Sequence, residues 1–120
     1  MTLNDRRIAR VRRMCLALLE VHETSAWGHP NFKAGARTFV AIEWINQRPS
    51  IALRQTPTEI DLLLRRQGFF VTPYGRGQWV SAWVDASTDW GIVEHLLQRS
   101  YRLVALKRMV AALDAVAGRG

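Results

Sequence analysis

The sequence predicts an α+β domain: an antiparallel β-sheet with N- and C-terminal helices packed on one face. Apolar residues recur at helical spacing near both ends of the chain, and short β-prone runs separated by turn residues fill the middle. The predicted order is helix, three strands, helix, two strands, helix, which is typical of antiparallel α+β sheets. The 120 residues, 48% of them apolar or aromatic, predict a single domain over residues 1–120.

The first helix has a clear start signal. Thr2 and Asp5 stand at the spacing of a capping box, in which a hydroxyl and an acid three residues later satisfy exposed backbone amides. We expect this helix to end near Val21. Its apolar face is formed by residues at steps of three and four: Ile8, Val11, Cys15 and Leu18.

A loop is predicted over residues 23–31, and three short strands are predicted after it. The strands cover residues 32–34, 38–44 and 50–54. Gly35-Ala36-Arg37 joins the first two as a hairpin, and residues 46–49 join the second to the third. These segments form the first part of the sheet.

The second helix has the strongest local signal in the chain. Thr56 suits the N-cap, Pro57 the first helical position, and Glu59 the reciprocal capping position. The helix is expected to run to about Arg66, with Gly68 as its C-terminal stop.

A second hairpin and a final helix complete the predicted fold. The hairpin pairs residues 69–74 with 78–84 across Gly75-Arg76-Gly77. Both faces of the 78–84 strand are largely apolar, so we expect it to be central or covered. Ser87 or Thr88 can cap the last helix from Asp89, which either runs to about Ala117 or breaks near Ala105.

The charge points to an anionic partner. Seventeen basic residues stand against ten acidic ones, a net charge of +7. A positive field of this kind favours nucleic acids, anionic lipids or acidic proteins without choosing among them. A phosphate-binding surface is predicted from five arginines, of which three share a face of the first helix and two lie in hairpin turns: Arg6, Arg10, Arg13, Arg37 and Arg76. A solvated helix face is the alternative interpretation of the first three.

His29 is the residue most suggestive of a ligand pocket. It stands between Gly28 and Pro30, and a following proline restricts a residue to extended conformations. Together with Trp27 and Tyr101 it is a candidate pocket for a small molecule or an anion. The alternative is a structural histidine bonded to the backbone, and Tyr101 would then anchor the last helix to the loop that holds His29.

Catalysis and metal binding have little support in the sequence. No acid or nucleophile accompanies His29 at a recognisable spacing, and His22, His29, His95 and Cys15 form no close ligand pair. We therefore predict no enzyme activity, no metal and no cofactor.

No apolar run is long enough to span a membrane, and the start of the chain lacks a signal-peptide core. The expectation is a cytoplasmic protein without membrane contact, with a monomer favoured.

Five motifs in order resemble the MmcQ/YjbR family, over Cys15 to Lys107. The resemblance implies a compact fold of the bacterial frataxin-like (CyaY-like) type, and it implies DNA binding through a double-wing motif whose wings are β-hairpins. The family often has a proline where Leu106 stands, so the final helix could continue here without a break. The motifs are Trp27-Gly28-His29-Pro30 with Phe32, Arg48-Pro49-Ser50, Gly68-Phe69-Phe70, Gly77-Gln78-Trp79-Val80, and Ser100-Tyr101-Arg102-Leu103-Val104 with Lys107-Arg108.

Three functional hypotheses follow from the sequence. The first is a module that binds DNA phosphates through arginines with little base discrimination. The second is a non-enzymatic small-molecule or anion-binding protein. The third is an interaction module for an acidic protein partner.

Overall fold

The computed structural model describes residues 2–26, 28–75 and 77–119. It contains helices at both ends and six strands between them. The elements, in chain order, are α1 (Leu3–Leu16), β1 (Val21–Ala26), β2 (His29–Ala34), β3 (Arg37–Ile45), β4 (Arg48–Arg54), α2 (Pro57–Leu63), β5 (Phe69–Val71), β6 (Trp79–Trp83), α3 (Trp90–Val104) and α4 (Lys107–Arg119).

The six strands form one antiparallel sheet in the order β1-β2-β3-β4-β6-β5. The first four strands follow one another as a meander, whereas β6 inserts between β4 and β5. The predicted α+β class is therefore confirmed. The expectation that the 78–84 strand is central is also confirmed, since β6 has a partner on both sides.

Helices α1 and α3 cover one face of the sheet. Helix α3 packs on β3 and β4, and α1 packs beside it and against β1. The two helices run in the same direction, because Arg10 of α1 lies over Trp90, whereas Leu18, which follows α1, shares a groove with Leu97 of α3. The interface with the sheet is the hydrophobic core, and its largest fully buried side chains are Tyr101, Phe32, Phe39, Ile42, Ile51, Leu53 and Leu97.

The helix starts follow local chemistry. Thr2 and Asp5 form the predicted capping box, with both bonds at 3.0 Å. Thr56 caps α2 by accepting from the Glu59 amide at 3.3 Å. The Glu59 side chain pairs with Arg99 at 2.8 Å instead of serving as the reciprocal cap. Asp89, rather than the residues before it, caps α3.

The predicted loop over residues 23–31 is wrong. This segment contributes most of a hairpin in which Val21–Ala26 pairs with His29–Ala34. The sequence of β1 is polar because it is an edge strand with little burial, so its pairing with β2, and not its own apolar pattern, makes it a strand. Helix α1 ends earlier than predicted, at Leu16, because the chain must turn before β1 starts at Val21.

The final helical region breaks into α3 and α4. Ala105 has an extended backbone, with ψ at 151°, although no proline stands there. After this turn, Met109 lies in the core at 1% exposure. Of the two alternatives in the sequence, the break near Ala105 is the one observed.

The two ends of the sheet lie at opposite ends of α3. At the Trp90 end, Arg48 and Trp83 line a depression with the first turn of α3. At the Gly35 end, the β2–β3 turn lies against Val104, and a Cβ added to Gly35 would be 3.9 Å from the Val104 carbonyl oxygen. Helix α3 has 15 residues, so these ends are separated by about 21 Å along its axis.

Candidate functional site

Helix α1 presents a row of arginines, the α1 ridge, formed by Arg6, Arg10 and Arg13. All three are exposed. The guanidinium of Arg10 lies over the Trp90 ring, 4.5 Å from its centroid, which fixes the middle of the ridge at the Trp90 end. A helix rises 1.5 Å per residue, so the ridge spans about 10 Å. That length corresponds to about three nucleotides of one DNA strand.

Five of the ten acidic residues pair with other arginines. Among the described residues, none of the predicted phosphate-binding arginines lies within 4 Å of a carboxylate oxygen. The α1 ridge and Arg37 therefore form no direct ion pair in the described part of the chain, although Arg13 lines the same groove as Glu94. The five ion pairs are Arg12–Glu23, Arg48–Asp85, Arg99–Glu59, Arg102–Asp114 and Arg108–Glu20.

The structure brings the two hairpin turns to the same end of the sheet but keeps the α1 ridge away from them. Arg37 is exposed beside the β2–β3 turn at the Gly35 end, and the β5–β6 turn lies at that end too. Burial, and then the nearby charge of Arg37, lowers the pKa of Arg54. Arg10 lies at the Trp90 end, about 20 Å away along α3. Arg76 lies outside the described residues.

His29 and Tyr101 do not meet. The Tyr101 hydroxyl donates to the Leu19 carbonyl at 2.9 Å, in the connection between α1 and β1. His29 starts β2 at the other end of that strand, about 16 Å from Ala34 at a rise of 3.3 Å per residue. Trp27 lies outside the described residues. Tyr101 thus anchors α3 to the α1–β1 connection and not to the segment that holds His29, which is half-buried.

The face of the sheet opposite the helices, the open face, carries two arginine–tryptophan stacks. The Arg48 guanidinium lies 3.8 Å from the Trp83 ring centroid, and Trp83 stacks on Phe70 at 4.4 Å. Arg54 lies 4.8 Å from the centroid of Trp79. This arrangement has no continuous signal in the sequence, because the partners come from different strands. Its one local signal is the alternation of Trp79 and Trp83 along β6.

A buried carboxylate lies on the open face. Glu43 is paired across β3 and β4 with Ser50, is 5% exposed, and accepts a hydrogen bond from the Tyr74 hydroxyl through Oε2. Its second oxygen, Oε1, is buried and has no hydrogen-bond donor in the part of the chain that the structure describes. Burial, reinforced by the bond to Glu43, raises the pKa of Tyr74.

A depression of about 500 Å³ lies at the Trp90 end, between β5, β6 and the start of α3. Arg48 and Arg66 line it together with Asp85 and Asp89, and Asp85 is 3.8 Å from Arg48. Because two carboxylates face two guanidiniums, this depression does not select for an anion.

The described residues contain no group of three or more histidine, cysteine or acidic side chains placed to hold a metal ion. In the same residues, no helix has the length and apolar character needed to cross a membrane.

Comparison with protein-family models tests the family resemblance that the sequence motifs indicated. The YjbR family model matches residues 16–103, about three quarters of the chain. The chain belongs to the YjbR family. The predicted MmcQ/YjbR resemblance is therefore confirmed. No curated protein sequence gives a significant match.

Two solved structures share the YjbR-family fold of this chain. A Deinococcus radiodurans protein with a DUF419 domain has a TM-score of 0.72 and 23% identity, over 83% of this chain and 79% of its own. A Pseudomonas syringae protein has a TM-score of 0.67 and 11% identity, over 87% of this chain and 99% of its own. At these identities the likeness shows the fold alone.

Proposed function

We propose that this YjbR-family protein binds DNA through phosphate contacts made by arginines, with little base discrimination. It would act as a non-enzymatic, monomeric module in the cytoplasm, without membrane contact. The observation that carries the proposal is the α1 ridge: three exposed arginines on one helix face, with no carboxylate within 4 Å among the described residues.

The electrostatics supports this use of the ridge. An exposed arginine that is already paired gains little from a phosphate, because the phosphate must replace its carboxylate. An unpaired guanidinium offers its donor fork directly to phosphate oxygens. Phosphate contacts of this kind position a protein on the duplex and carry no sequence information. Little base discrimination is therefore expected.

The hairpin turns add a second positive region rather than extending the ridge. Arg37 lies beside the β2–β3 turn at the Gly35 end, and the connection from β5 to β6 leaves and re-enters the sheet at that end, so these two hairpins are the candidate wings. The ridge and the wings are about 20 Å apart along α3, so we propose that the ridge makes the primary contact.

A salt titration on random-sequence duplex DNA tests the proposal. Three phosphate contacts predict a log–log slope of affinity against salt near −2.7, at about 0.9 per contact. Replacing Arg6, Arg10 and Arg13 together with alanine is expected to bring the slope close to zero, and each single change to reduce it by about one.

A charge-matched variant provides the control. The control carries Arg65→Ala, Arg66→Ala and Lys107→Ala. It also loses three positive charges, all of them outside the ridge, and should leave the slope near −2.7. A dissociation constant weaker than about 0.1 mM at physiological salt would refute the proposal, since that is the weak end of ordinary non-specific binding. A slope altered by the pair Arg37→Ala and Arg76→Ala, but not by the ridge variant, would refute the ridge and favour the wings.

The alternative small-molecule function does not have the support expected from the sequence, because His29 and Tyr101 lie at opposite ends of β2.

A further inference from the structure

We infer that the open face of the sheet binds a guanine nucleotide, whose base takes the place of Tyr74 at the Glu43 carboxylate. This site is on the opposite side of the sheet from the α1 ridge. It does not depend on the proposed DNA binding and goes beyond it.

The incomplete bonding of Glu43 is the starting point. A buried carboxylate is costly unless hydrogen bonds or a charge partner compensate its desolvation. Glu43 is 5% exposed and has a single donor, the neutral Tyr74 hydroxyl, while Oε1 has none among the described residues. Buried polar atoms in native proteins are nearly always paired, so an unpaired one indicates a partner that is absent.

Tyr74 reaches the site from the connection between β5 and β6. The tyrosine follows the edge strand β5, and Glu43 is on β3, so the loop folds back across β6 and β4 to reach the carboxylate. Tyr74 remains 53% exposed. Gly75 beside it has a φ of +80° in this turn. The tyrosine is therefore a cover over Glu43 and not part of the core.

Small side chains lie beside Glu43 on this face. In its own row the carboxylate is followed by Ser50 and then by Trp83, and in the row toward the Gly35 end lie Ala41, Ala52 and Ser81. Ser50, Ala41, Ala52 and Ser81 are at most 5% exposed, and Thr72 is hydrogen-bonded to Ser81 at 2.8 Å. A group that replaces the Tyr74 ring therefore meets small side chains of β3 and β4, with the carboxylate at one side and Trp83 beyond Ser50.

The acceptor geometry selects the ligand. A carboxylate can accept two parallel N–H bonds, one on each oxygen. Guanine presents two adjacent donors, N1–H and the 2-amino group, on its base-pairing edge. Hypoxanthine keeps only N1–H, and adenine places a ring acceptor beside its amino donor. Guanine therefore satisfies both Oε1 and Oε2, whereas a phenol satisfies one.

A guanidinium compound also has paired donors, but the charge around the site favours binding of a guanine nucleotide over a guanidinium compound. Arg48 is a diagonal neighbour of Glu43 on the adjacent strand, about 7–8 Å away at the backbone, but it is 3.8 Å from Asp85. Arg54 lies further along β4 and has no carboxylate within 4 Å among the described residues. The unpaired charge of Arg54 attracts the phosphate of a nucleotide and repels a cationic ligand.

Calorimetric titration with GMP, IMP, AMP and L-arginine tests the inference on the whole protein. GMP is expected to bind at least about tenfold more tightly than IMP, because IMP lacks one bond to a charged acceptor. AMP and L-arginine are expected to bind more weakly than IMP. Because this comparison uses the unmodified protein, it holds even if a variant fails to fold.

Two variants locate the site. Glu43→Gln is expected to abolish the preference for GMP over IMP, since the amide turns one acceptor into a donor. Tyr74→Phe is expected to raise the GMP affinity severalfold, because the cover loses its own bond to Glu43. The ridge variant with Arg6, Arg10 and Arg13 replaced is the matched control, and it should lower DNA affinity without changing GMP binding.

Equal affinity for GMP and IMP, no GMP binding at millimolar concentration, or a GMP preference that survives in folded Glu43→Gln would overturn the inference. Binding of L-arginine in competition with GMP, and tighter than it, would also overturn it in favour of a guanidinium ligand. None of these results bears on the salt slope with DNA, so failure here is distinct from failure of the proposed function.

Discussion

Replacing Tyr101 with phenylalanine tests how α3 is tied to the start of the sheet. Tyr101 is fully buried, its ring meets Phe39 edge-on at 5.8 Å, and its hydroxyl donates to the Leu19 carbonyl at 2.9 Å. The variant keeps the ring and removes only the hydroxyl. It therefore isolates the bond that joins residues 82 positions apart in the chain.

The expected loss follows from the burial of this bond. A hydrogen bond contributes about 1 kcal/mol net, and an unpaired buried partner raises the cost to about 1–3 kcal/mol. We expect a loss of about 1–2 kcal/mol, because the Leu19 carbonyl lies in an exposed turn where water can reach it in part. For 120 residues the unfolding entropy is about 250 cal/mol/K, so each kcal/mol lowers Tm by about 4 °C. The predicted decrease is about 4–8 °C.

Thermal and urea unfolding of the two proteins measure this loss. Tyr101→Leu serves as the comparison, because it also removes the edge-on contact with Phe39 and should cost about 0.5–1.5 kcal/mol more, apart from any cavity it leaves. An unchanged Tm for Tyr101→Phe would contradict the anchoring role. Equal losses in Tyr101→Phe and Tyr101→Leu would show that the ring contributes nothing beyond its hydroxyl.

Three further outcomes are expected. Cys15 should react with a thiol reagent only when the protein unfolds, because burial raises the pKa of its thiol and closes access to it; rapid labelling of the native protein would contradict this. Burial raises the pKa of both Tyr74 and Tyr101 in the folded state, so stability is fully present below pH 10 and falls as the pH rises through their folded values; chemical unfolding at pH 8 and pH 11 checks the direction. Gly75→Ala should cost about 1–3 kcal/mol in urea unfolding, because Gly75 has a φ of +80° and a Cβ there would overlap the Trp79 ring; a neutral effect would show that the turn can rearrange freely.

The parts of the fold that local chemistry determines could be predicted from the sequence. The capping box of Thr2 and the Thr56-Pro57 start of α2 were found because each depends on residues within one helical turn. The central position of β6 was found because both of its faces are apolar. In each case the signal and its structural consequence are neighbours in the chain.

The parts that depend on distant partners could not be predicted. The polar strand β1 forms because β2 pairs with it, and the break at Ala105 has no proline to mark it, although Met109 after it is buried in the core. The candidate site shows the same limit. The three arginines of the α1 ridge share a face by helical periodicity alone, but the pairing of Tyr74 with Glu43 joins residues 31 positions apart.

The insertion of β6 between β4 and β5 has a consequence for synthesis on the ribosome. Among the described strands β5 pairs with β6 alone, so it cannot join the sheet until residues 79–83 have left the exit tunnel. Until then the β1–β4 meander ends in β4, whose apolar Ile51-Ala52-Leu53 backbone edge is open. Open apolar edges pair readily with other chains. The nascent protein is therefore most exposed to association during the interval between the completion of β4 and the emergence of β6, and chains terminated within that interval retain the open edge.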